Sequence, residues 1–163
     1  MPHLALYQPD IPQNTGTLMR LAACLCVDLH LIEPAGFPLS DASLKRAGMD
    51  YLERARLVRH IDFDSFDAWR REKNRRLVLL TTKSTTTYTC FEFQPGDILL
   101  LGRESSGVPA SVHEIADTRL TIPMASGMRS INVAVSAGIV LGEALRQTGS
   151  FPPSTAGASV HET

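Results

Sequence analysis

The stretch that decides the fold runs from Ile98 to Pro109 and reads ILLLGRESSGVP. Its first four residues are all apolar, too few for a helix and without a polar face, which is typical of a strand in a parallel sheet covered on both sides. A polar loop follows at once, in which Gly102 allows close approach of a ligand to the backbone, Glu104 lies just past the strand end, and Gly107 allows a positive φ. Because ligands of doubly wound sheets bind beyond the carboxyl ends of the strands, we expect this loop to form part of a binding site.

Short apolar runs alternate with helix-like stretches along the rest of the chain, which predicts an α/β fold: a single domain with a parallel sheet and helices on both faces. The predicted strands are Leu4–Tyr7, Asp28–Ile32, Leu57–Val58, Leu77–Leu80, Ile98–Leu101 and Leu120–Ile122. Predicted helices begin near Pro12 (capped by Asn14 or Thr15), at Asp64-Ser65, at Pro109 and at Ser130. We expect the domain to cover residues 1–147 and a flexible tail rich in Pro, Ser, Thr, Ala and Gly to cover 148–163.

Composition excludes several classes of protein. A length of 163 residues, with 44% apolar and 20% charged residues, fits one globular domain and not a disordered chain. We predict no signal peptide and no membrane span, and three cysteines without a CxxC indicate a reducing cytoplasm and no structural zinc. The chain lacks GxGxxG, the P-loop, GxSxG and HExxH, which disfavours dinucleotide binding, serine-hydrolase chemistry and metal-dependent hydrolysis.

A second candidate loop opens the first predicted helix at residues 11–20, IPQNTGTLMR. Its Asn14 can be a simple helix cap, or it can help a helix N-terminus receive an anion. Arg20 is a lone charge in an otherwise apolar helical stretch, and such a guanidinium needs a phosphate or carboxylate partner. Read locally, a structural and a functional role explain this loop equally well.

A third candidate loop joins the last predicted strand to the last helix at residues 122–132, IPMASGMRSIN. Ser130 is the predicted N-cap, whereas Asn132 is a polar residue inside a very apolar helix and needs a hydrogen-bond partner if it is buried. The helix that we predict from Ser130 to Gln147 carries no charge as far as Gly142. Its apolar residues lie all round, so we expect it to be buried in the core or against a second subunit.

Basic residues are concentrated in one part of the chain. Ten of the sixteen lie between Lys45 and Arg76, and six acidic residues share that span. Such a segment can bind a polyanion through phosphate contacts, although on charge alone a solvated helix face is the preferred interpretation.

The three loops, taken with the strands around them, resemble the motifs of the SPOUT superfamily of S-adenosylmethionine-dependent RNA methyltransferases, in its ribose 2′-O-methylating branch. The resemblance covers nearly the whole chain, from Leu6 to about Gln147, and is closest to the shortest members, which act on tRNA. The matching segments are LYQPDIPQNTGTLMRLAA (6–23), LHLIEPAGFPLSDASLKRAGMDY (29–51), LLTTKS (79–84), LLLGRESSGVP (99–109) and IPMASGMRSINVAVSAG (122–138).

The resemblance implies features of the fold and of the donor site that spacing alone does not predict. Family members thread the C-terminal part of the parallel sheet into a deep trefoil knot, bind the methyl donor S-adenosylmethionine there without a metal, and form homodimers through the helix that begins at Ser130. The donor positions implied for this chain are Leu80, Gly102, Ile122, Pro123, Met124 and Ser130.

The resemblance also implies a reaction, which is methylation of the 2′-oxygen of the wobble nucleotide (position 34) of tRNA, with leucine tRNAs as expected substrates. The catalytic positions implied are Asn14, Arg20, Glu104, Ser130 and Asn132. A guanidinium with a pKa above about 12 is a poor base. We therefore expect Arg20 to bind the nucleotide's phosphate beside the 2′-hydroxyl, aligned across the dimer interface. The basic segment then becomes a candidate surface for the tRNA anticodon stem-loop, with Lys45, Arg46, Arg54, Arg59, Arg70 and Arg71 as its candidate contacts.

Three other functions stay open at this point. A sibling enzyme would methylate another position of tRNA or a position of rRNA. A non-catalytic RNA-binding module would keep the fold without the chemistry, although the presence of Arg20 argues against it. A flavodoxin-like module would bind a small phosphate ligand and not the methyl donor.

Overall fold

The structure is a computed structural model that describes residues 1–40 and 56–153. One parallel sheet lies at the centre of the molecule. Its strands are β1 (His3–Tyr7), β2 (Asp28–Ile32), β3 (Arg56–His60), β4 (Leu77–Leu80), β5 (Ile98–Leu101) and β6 (Thr118–Leu120). Their order in space is β3-β2-β1-β5-β4-β6, and every neighbouring pair is parallel. The predicted α/β class is confirmed.

Helices cover both faces of this sheet, as predicted. They are α1 (Pro12–Leu25), α2 (Phe63–Glu72), α3 (Ala110–Ile115) and α4 (Val133–Thr148), with a short 3-10 helix at Tyr88–Cys90. Successive side chains of a strand point to opposite faces. In β1, Leu4 and Leu6 therefore pack with α1 and α4, whereas Ala5 and Tyr7 pack with α2 and α3. The uninterrupted apolar sequences of β4 (LVLL) and β5 (ILLL) follow from this burial on both sides.

The last strand ends two residues earlier than predicted. We expected Leu120–Ile122, but β6 runs from Thr118 to Leu120 and pairs with β4 there. Beyond Leu120 the chain pairs with a different segment, because the Thr121 N–H donates to the Thr86 carbonyl (2.8 Å) and the Thr121 carbonyl accepts from the Tyr88 N–H (3.0 Å). Ile122 is thereby placed in the loop beyond the sheet edge.

Two predicted helix caps were wrong. Ile11 is the N-cap of α1 and its side chain makes no capping hydrogen bond, so Asn14 and Thr15 lie inside the first turns. The N-cap of α2 is Asp62, whose carboxylate accepts from the Ser65 N–H (2.8 Å), two residues before the predicted start. In α1 the asparagine is consequently available for contacts outside its own helix.

Some predictions fall on residues that the structure does not describe. Lys45, Arg46 and Arg54 lie outside the described residues, and so do residues 154–163 of the predicted tail. The division at residue 147 and the trefoil knot stay predictions. The predicted third helix begins at Ala110, directly after Pro109 as expected.

Candidate active site

A cavity of about 500 Å³ opens at the carboxyl ends of the central strands. Its walls are the first turn of α1, the loops that follow β4, β5 and β6, and the start of α4. Most of the predicted site residues line it together: Asn14, Leu80, Gly102, Glu104, Ile122, Met124, Ser130 and Asn132. Residues from five separate parts of the sequence therefore meet in one place, as expected for the switch point of a parallel sheet.

A chain of side-chain hydrogen bonds crosses one wall of this cavity. The Asn14 amide nitrogen donates to Glu104 Oε1 (3.2 Å), and the Asn132 amide nitrogen donates to Asn14 Oδ1 (3.0 Å). The other carboxylate oxygen of Glu104 accepts from the backbone N–H of Asp10 (2.8 Å). The carboxylate is therefore held by two donors, and the orientation of the Asn14 amide is fixed by its two partners.

Asn132 also caps α4, which corrects the prediction that Ser130 is the cap. Its Oδ1 accepts from the N–H groups of Ala134 (2.8 Å) and Val135 (3.2 Å). Because the oxygen is used in this way, the amide NH₂ group must point away from the helix and towards Asn14. Ser130 is exposed and lines the cavity two residues earlier.

The loop after β5 closes on itself through its backbone. Arg103 and Gly107 exchange two backbone hydrogen bonds (2.9 and 2.8 Å), and Gly107 has a φ of 69° as the sequence predicted. A Cβ on Gly102 would lie 2.7 Å from the Cα of Gly107. The loop's own backbone therefore occupies the space where a side chain of residue 102 would lie, and the approach of a ligand to Gly102 stays a prediction.

Asp10 is a site residue that the sequence analysis missed. Its carboxylate accepts from Arg103 Nη2 (2.5 Å) and Nε (3.1 Å), and from the backbone N–H (3.2 Å) and hydroxyl of Ser105. These hydrogen bonds, that of Arg103 first, lower the pKa of Asp10 to about 2, and the pKa of Arg103 is raised in turn. The sequence contained a hint of this pair, because Asp10 directly precedes one candidate loop and Arg103 lies in another. No spacing rule, however, pairs residues that are 93 positions apart.

Two predicted site residues do not line the cavity of their own chain. Arg20 is exposed on α1 and lies six residues after Asn14, about 9 Å further along the helix axis. Pro123 is exposed as well, between the lining residues Ile122 and Met124. Both stay predictions as site residues.

The basic segment is largely engaged in ion pairs where the structure describes it. Arg70 is only 4% exposed and bonds Asp67 (2.6 Å) and Asp117 (2.9 Å), so its predicted contact with RNA was wrong. Arg59 pairs with Glu33 (2.8 Å) and Arg71 with Asp67 (2.7 Å), yet both remain exposed and stay candidates. Burying a guanidinium requires paired carboxylates, and Asp67 and Asp117 provide them for Arg70.

Two further features were sought in the described part of the chain. Within residues 1–40 and 56–153, no group of three or more His, Cys, Asp or Glu side chains is arranged to hold a metal ion. None of the helices in the same ranges combines the length and apolar character that crossing a bilayer requires.

Comparisons with known proteins agree with this architecture. A tRNA (cytidine(34)-2′-O)-methyltransferase of Beijerinckia indica is 62% identical over 148 residues, which are 91% of this chain and 92% of the relative. The solved structure described as "Structural insights into the 2-OH methylation of C/U34 on tRNA" is 42% identical, has a TM-score of 0.84, and is matched over 90% of this chain and 95% of its own.

A more distant solved structure carries the methyl donor. The AdoMet-bound rRNA methyltransferase of Sinorhizobium meliloti is 26% identical with a TM-score of 0.79, over 89% of this chain and 56% of its own. The model of the SpoU rRNA Methylase family matches residues 1–142. Together with the shared parallel sheet, this match over most of the sequence confirms the resemblance seen in the motifs: the chain belongs to the SpoU family of RNA methyltransferases.

Proposed function

We propose that this protein transfers a methyl group from S-adenosylmethionine to the ribose 2′-oxygen of the wobble nucleotide, position 34, of tRNA. The observation that carries the proposal is the hydrogen-bonded row of Glu104, Asn14 and Asn132 along a cavity that the predicted donor positions Leu80, Gly102, Ile122, Met124 and Ser130 also line. The proposal is supported by the relative at 62% identity and the solved structure at 42% identity, because the descriptions of both name this reaction. The restriction to leucine tRNAs stays a prediction.

The residues present fit the methyl donor. A volume of about 500 Å³ is within the range of pockets for small molecules and cofactors. The apolar side chains of Leu80, Ile122 and Met124 provide walls for a flat purine, and the turn at Gly102 exposes backbone groups. When bound, the donor supplies a methyl group that is already activated on a sulfonium, so the protein's task is alignment.

Positioning is the contribution that we assign to the polar row. Glu104 and Asn14 orient the ribose or the donor at the mouth of the cavity, and Asn132 fixes the Asn14 amide. Arg20 binds the phosphate beside the 2′-hydroxyl. Its positive charge stabilises the negative charge that develops on the 2′-oxygen as the hydroxyl proton leaves to solvent. Since Arg20 is absent from the wall of its own cavity, we assign this role to Arg20 of a second copy of the chain.

A homodimer is therefore part of the proposal. Four apolar side chains stay exposed at the start of α1, before α4 and on α4: Ile11 (40%), Met128 (65%), Val135 (53%) and Ile139 (36%). On α4, Gly138 and Gly142 leave open space where a Cβ would be, beside Val135 and Ile139. Two such helices can approach closely and bury this face. Because tRNA is the proposed substrate, we place the activity in the cytoplasm, with the anticodon stem-loop as partner and no membrane.

The test is methyl transfer from labelled S-adenosylmethionine to tRNA that lacks the modification, followed by mapping of the methylated nucleotide. We expect a 2′-O-methyl group at position 34 with wild-type protein and at least a 100-fold loss with Arg20→Ala, on the order seen when positioning is lost. Arg146→Ala, which removes an exposed α4 arginine paired with Glu143, is the matched control.

Other outcomes of that experiment separate the alternatives. A methyl group at another position of tRNA or rRNA would support the alternative of a 2′-O-methyltransferase with a different target nucleotide. Equal transfer by wild type and Arg20→Ala would contradict the role of Arg20. Absence of S-adenosylhomocysteine binding in calorimetry would contradict the donor site and support a small-phosphate module.

A further inference from the structure

Asp10 contacts three consecutive residues of the loop after β5. Its backbone N–H donates to Glu104, while its carboxylate accepts from Arg103 on one side of Glu104 and from Ser105 on the other. No other residue between β1 and α1 makes more than one of these contacts. One residue thus holds Glu104 and both of its neighbours.

The carboxylate of Asp10 divides its two oxygens between the neighbours. Oδ1 accepts from Nε and Nη2 of Arg103, and Oδ2 accepts from the N–H and the hydroxyl of Ser105. Arg103 also donates to Gln8 Oε1 (3.3 Å), so the guanidinium is held from two positions of the same segment. Charge-assisted hydrogen bonds of this kind are among the strong ones. We call Asp10, Arg103 and Ser105 the Asp10 clamp.

The backbone of Asp10 is itself fixed from the other side. The Gly36 N–H donates to the Pro9 carbonyl (2.9 Å), and a Cβ on Gly36 would lie 3.2 Å from the Cα of Asp10. The loop after β2 therefore packs directly against Asp10. Because the pKa of Asp10 is lowered to about 2, the Asp10 carboxylate is negatively charged at neutral pH.

We propose that Asp10 is a positioning residue for methyl transfer, because the Asp10 clamp sets the place and orientation of the Glu104 carboxylate. The inference rests on the proposed function of the cavity. It assigns to Asp10 no contact with donor or RNA. Its effect passes through Glu104, which then meets Asn14 in the geometry that the reaction requires. The turn between Gly102 and Gly107 also has two backbone hydrogen bonds of its own, between Arg103 and Gly107.

Asp10→Asn is the decisive substitution, because it keeps the shape of the side chain and the backbone N–H but removes the charge. We expect kcat for tRNA methylation to fall between about 10-fold and about 100-fold, as for a displaced positioning group. The Kd for S-adenosylhomocysteine should change less than about twofold, since Gly102 lies on a turn with backbone hydrogen bonds of its own and the other predicted donor positions lie on the loops after β4 and β6. A purely structural role would weaken donor binding and kcat together.

Two comparisons sharpen this experiment. Asp62→Asn is the matched control, since Asp62 also accepts a backbone N–H but caps α2 away from the cavity; its kcat should equal that of wild type. Arg103→Gln removes the other half of the clamp. If Arg103 acts through Asp10, the double variant will be no slower than the slower single variant, because residues that act as a unit are not additive.

Hydrogen exchange gives a readout that needs no turnover. The Ser105 N–H donates to Asp10, so its exchange should become at least about fivefold faster in Asp10→Asn and stay unchanged in Asp62→Asn. Unchanged exchange at Ser105 would overturn the clamp, and faster exchange with unchanged kcat would overturn its role in catalysis. If wild-type protein methylates no tRNA, the proposed function fails instead, while the exchange comparison still decides whether the clamp exists.

Discussion

Asn132 is the residue at which helix capping and the candidate site meet, because its oxygen caps α4 and its nitrogen bonds Asn14. Asn132→Asp keeps an oxygen for the cap but loses the donor to Asn14. We expect its free energy of unfolding to stay within about 0.5 kcal/mol of wild type, since Asp and Asn cap equally well. Methyl transfer should fall at least about tenfold, because the Asn14 amide is no longer fixed.

Asn132→Ala provides the comparison for this prediction. It removes the cap as well, which should cost about 1 kcal/mol in thermal or denaturant unfolding. Equal stability of the two variants would show that the cap contributes nothing. Full activity of Asn132→Asp would show that the bond between Asn132 and Asn14 has no part in the reaction.

Gly102 is a second residue whose role can be measured. A Cβ there would lie 2.7 Å from the backbone of Gly107, so Gly102→Ala must displace the turn that lines the cavity. We expect a loss of about 1–3 kcal/mol in stability, the usual cost of overpacking, and a weaker Kd for S-adenosylhomocysteine in calorimetry. Gly107→Ala is the comparison, since its Cβ would have no atom within 4 Å and only the φ of 69° opposes it. A smaller loss of stability in Gly102→Ala than in Gly107→Ala would contradict this account.

Three buried histidines connect neighbouring strands beneath α2. His3 on β1 bonds His30 on β2 (3.0 Å), which bonds His60 on β3 (3.0 Å), and the Trp69 ring lies 4.4 Å from that of His30. Burial, then the positive charge of Arg75, lowers the pKa of His3 from its ordinary 6.5 to about 4. Burial and then the neighbouring His3 lower that of His30 to about 3, and burial lowers that of His60. The row is therefore neutral in the folded protein at neutral pH.

This row makes the stability of the sheet depend on pH in a defined direction. In the unfolded chain, His3 and His30 bind protons below about pH 6.5. In the folded protein, His3 is protonated only near pH 4 and His30 only near pH 3. The stability that the neutral histidines provide is complete above pH 6.5 and is lost as pH falls through this window, because the unfolded chain then binds more protons than the folded protein. Denaturant unfolding at a series of pH values should show this slope. It should become shallower in His30→Phe, and equal slopes in wild type and this variant would contradict the assignment.

Element boundaries show which features sequence patterns could predict. Six strands and four helices were predicted close to their observed places, because burial on both faces leaves uninterrupted apolar runs such as Leu77–Leu80. Helix starts were less predictable, since Asp62, Asp64, Ser130 and Asn132 are all good capping residues and only tertiary contacts choose among them. The predicted end of β6 was wrong because the backbone of Thr121 forms hydrogen bonds with Thr86 and Tyr88 and not with β4. No local sequence pattern reveals this pairing.

At the scale of the whole molecule, the candidate site was predictable only as a set of residue types. The motifs indicated Asn14, Glu104 and Asn132, and their mutual hydrogen bonds were not visible until the sheet brought them together. Asp10 was missed because its partner Arg103 lies 93 residues later in the chain, and the two residues meet only because β1 and β5 are neighbours in the sheet. Contacts between distant segments are set by the order of the strands in the sheet, which neither the periodicity nor the resemblance predicted.

The exposed apolar face of α4 leads to the last prediction, which concerns assembly. Ile139 is 36% exposed in a single chain, so Ile139→Glu should cost the monomer about 1 kcal/mol in thermal unfolding and leave it folded. In the proposed dimer the same carboxylate would be buried without a partner, and sedimentation should show at least a 100-fold weaker dimer. Methyl transfer should fall with it, because each cavity would lose Arg20 of the second copy. Ile61→Glu, at an apolar residue that is 78% exposed beyond β3, is the control and should remain dimeric and active. A dimeric, active Ile139→Glu would place the interface elsewhere.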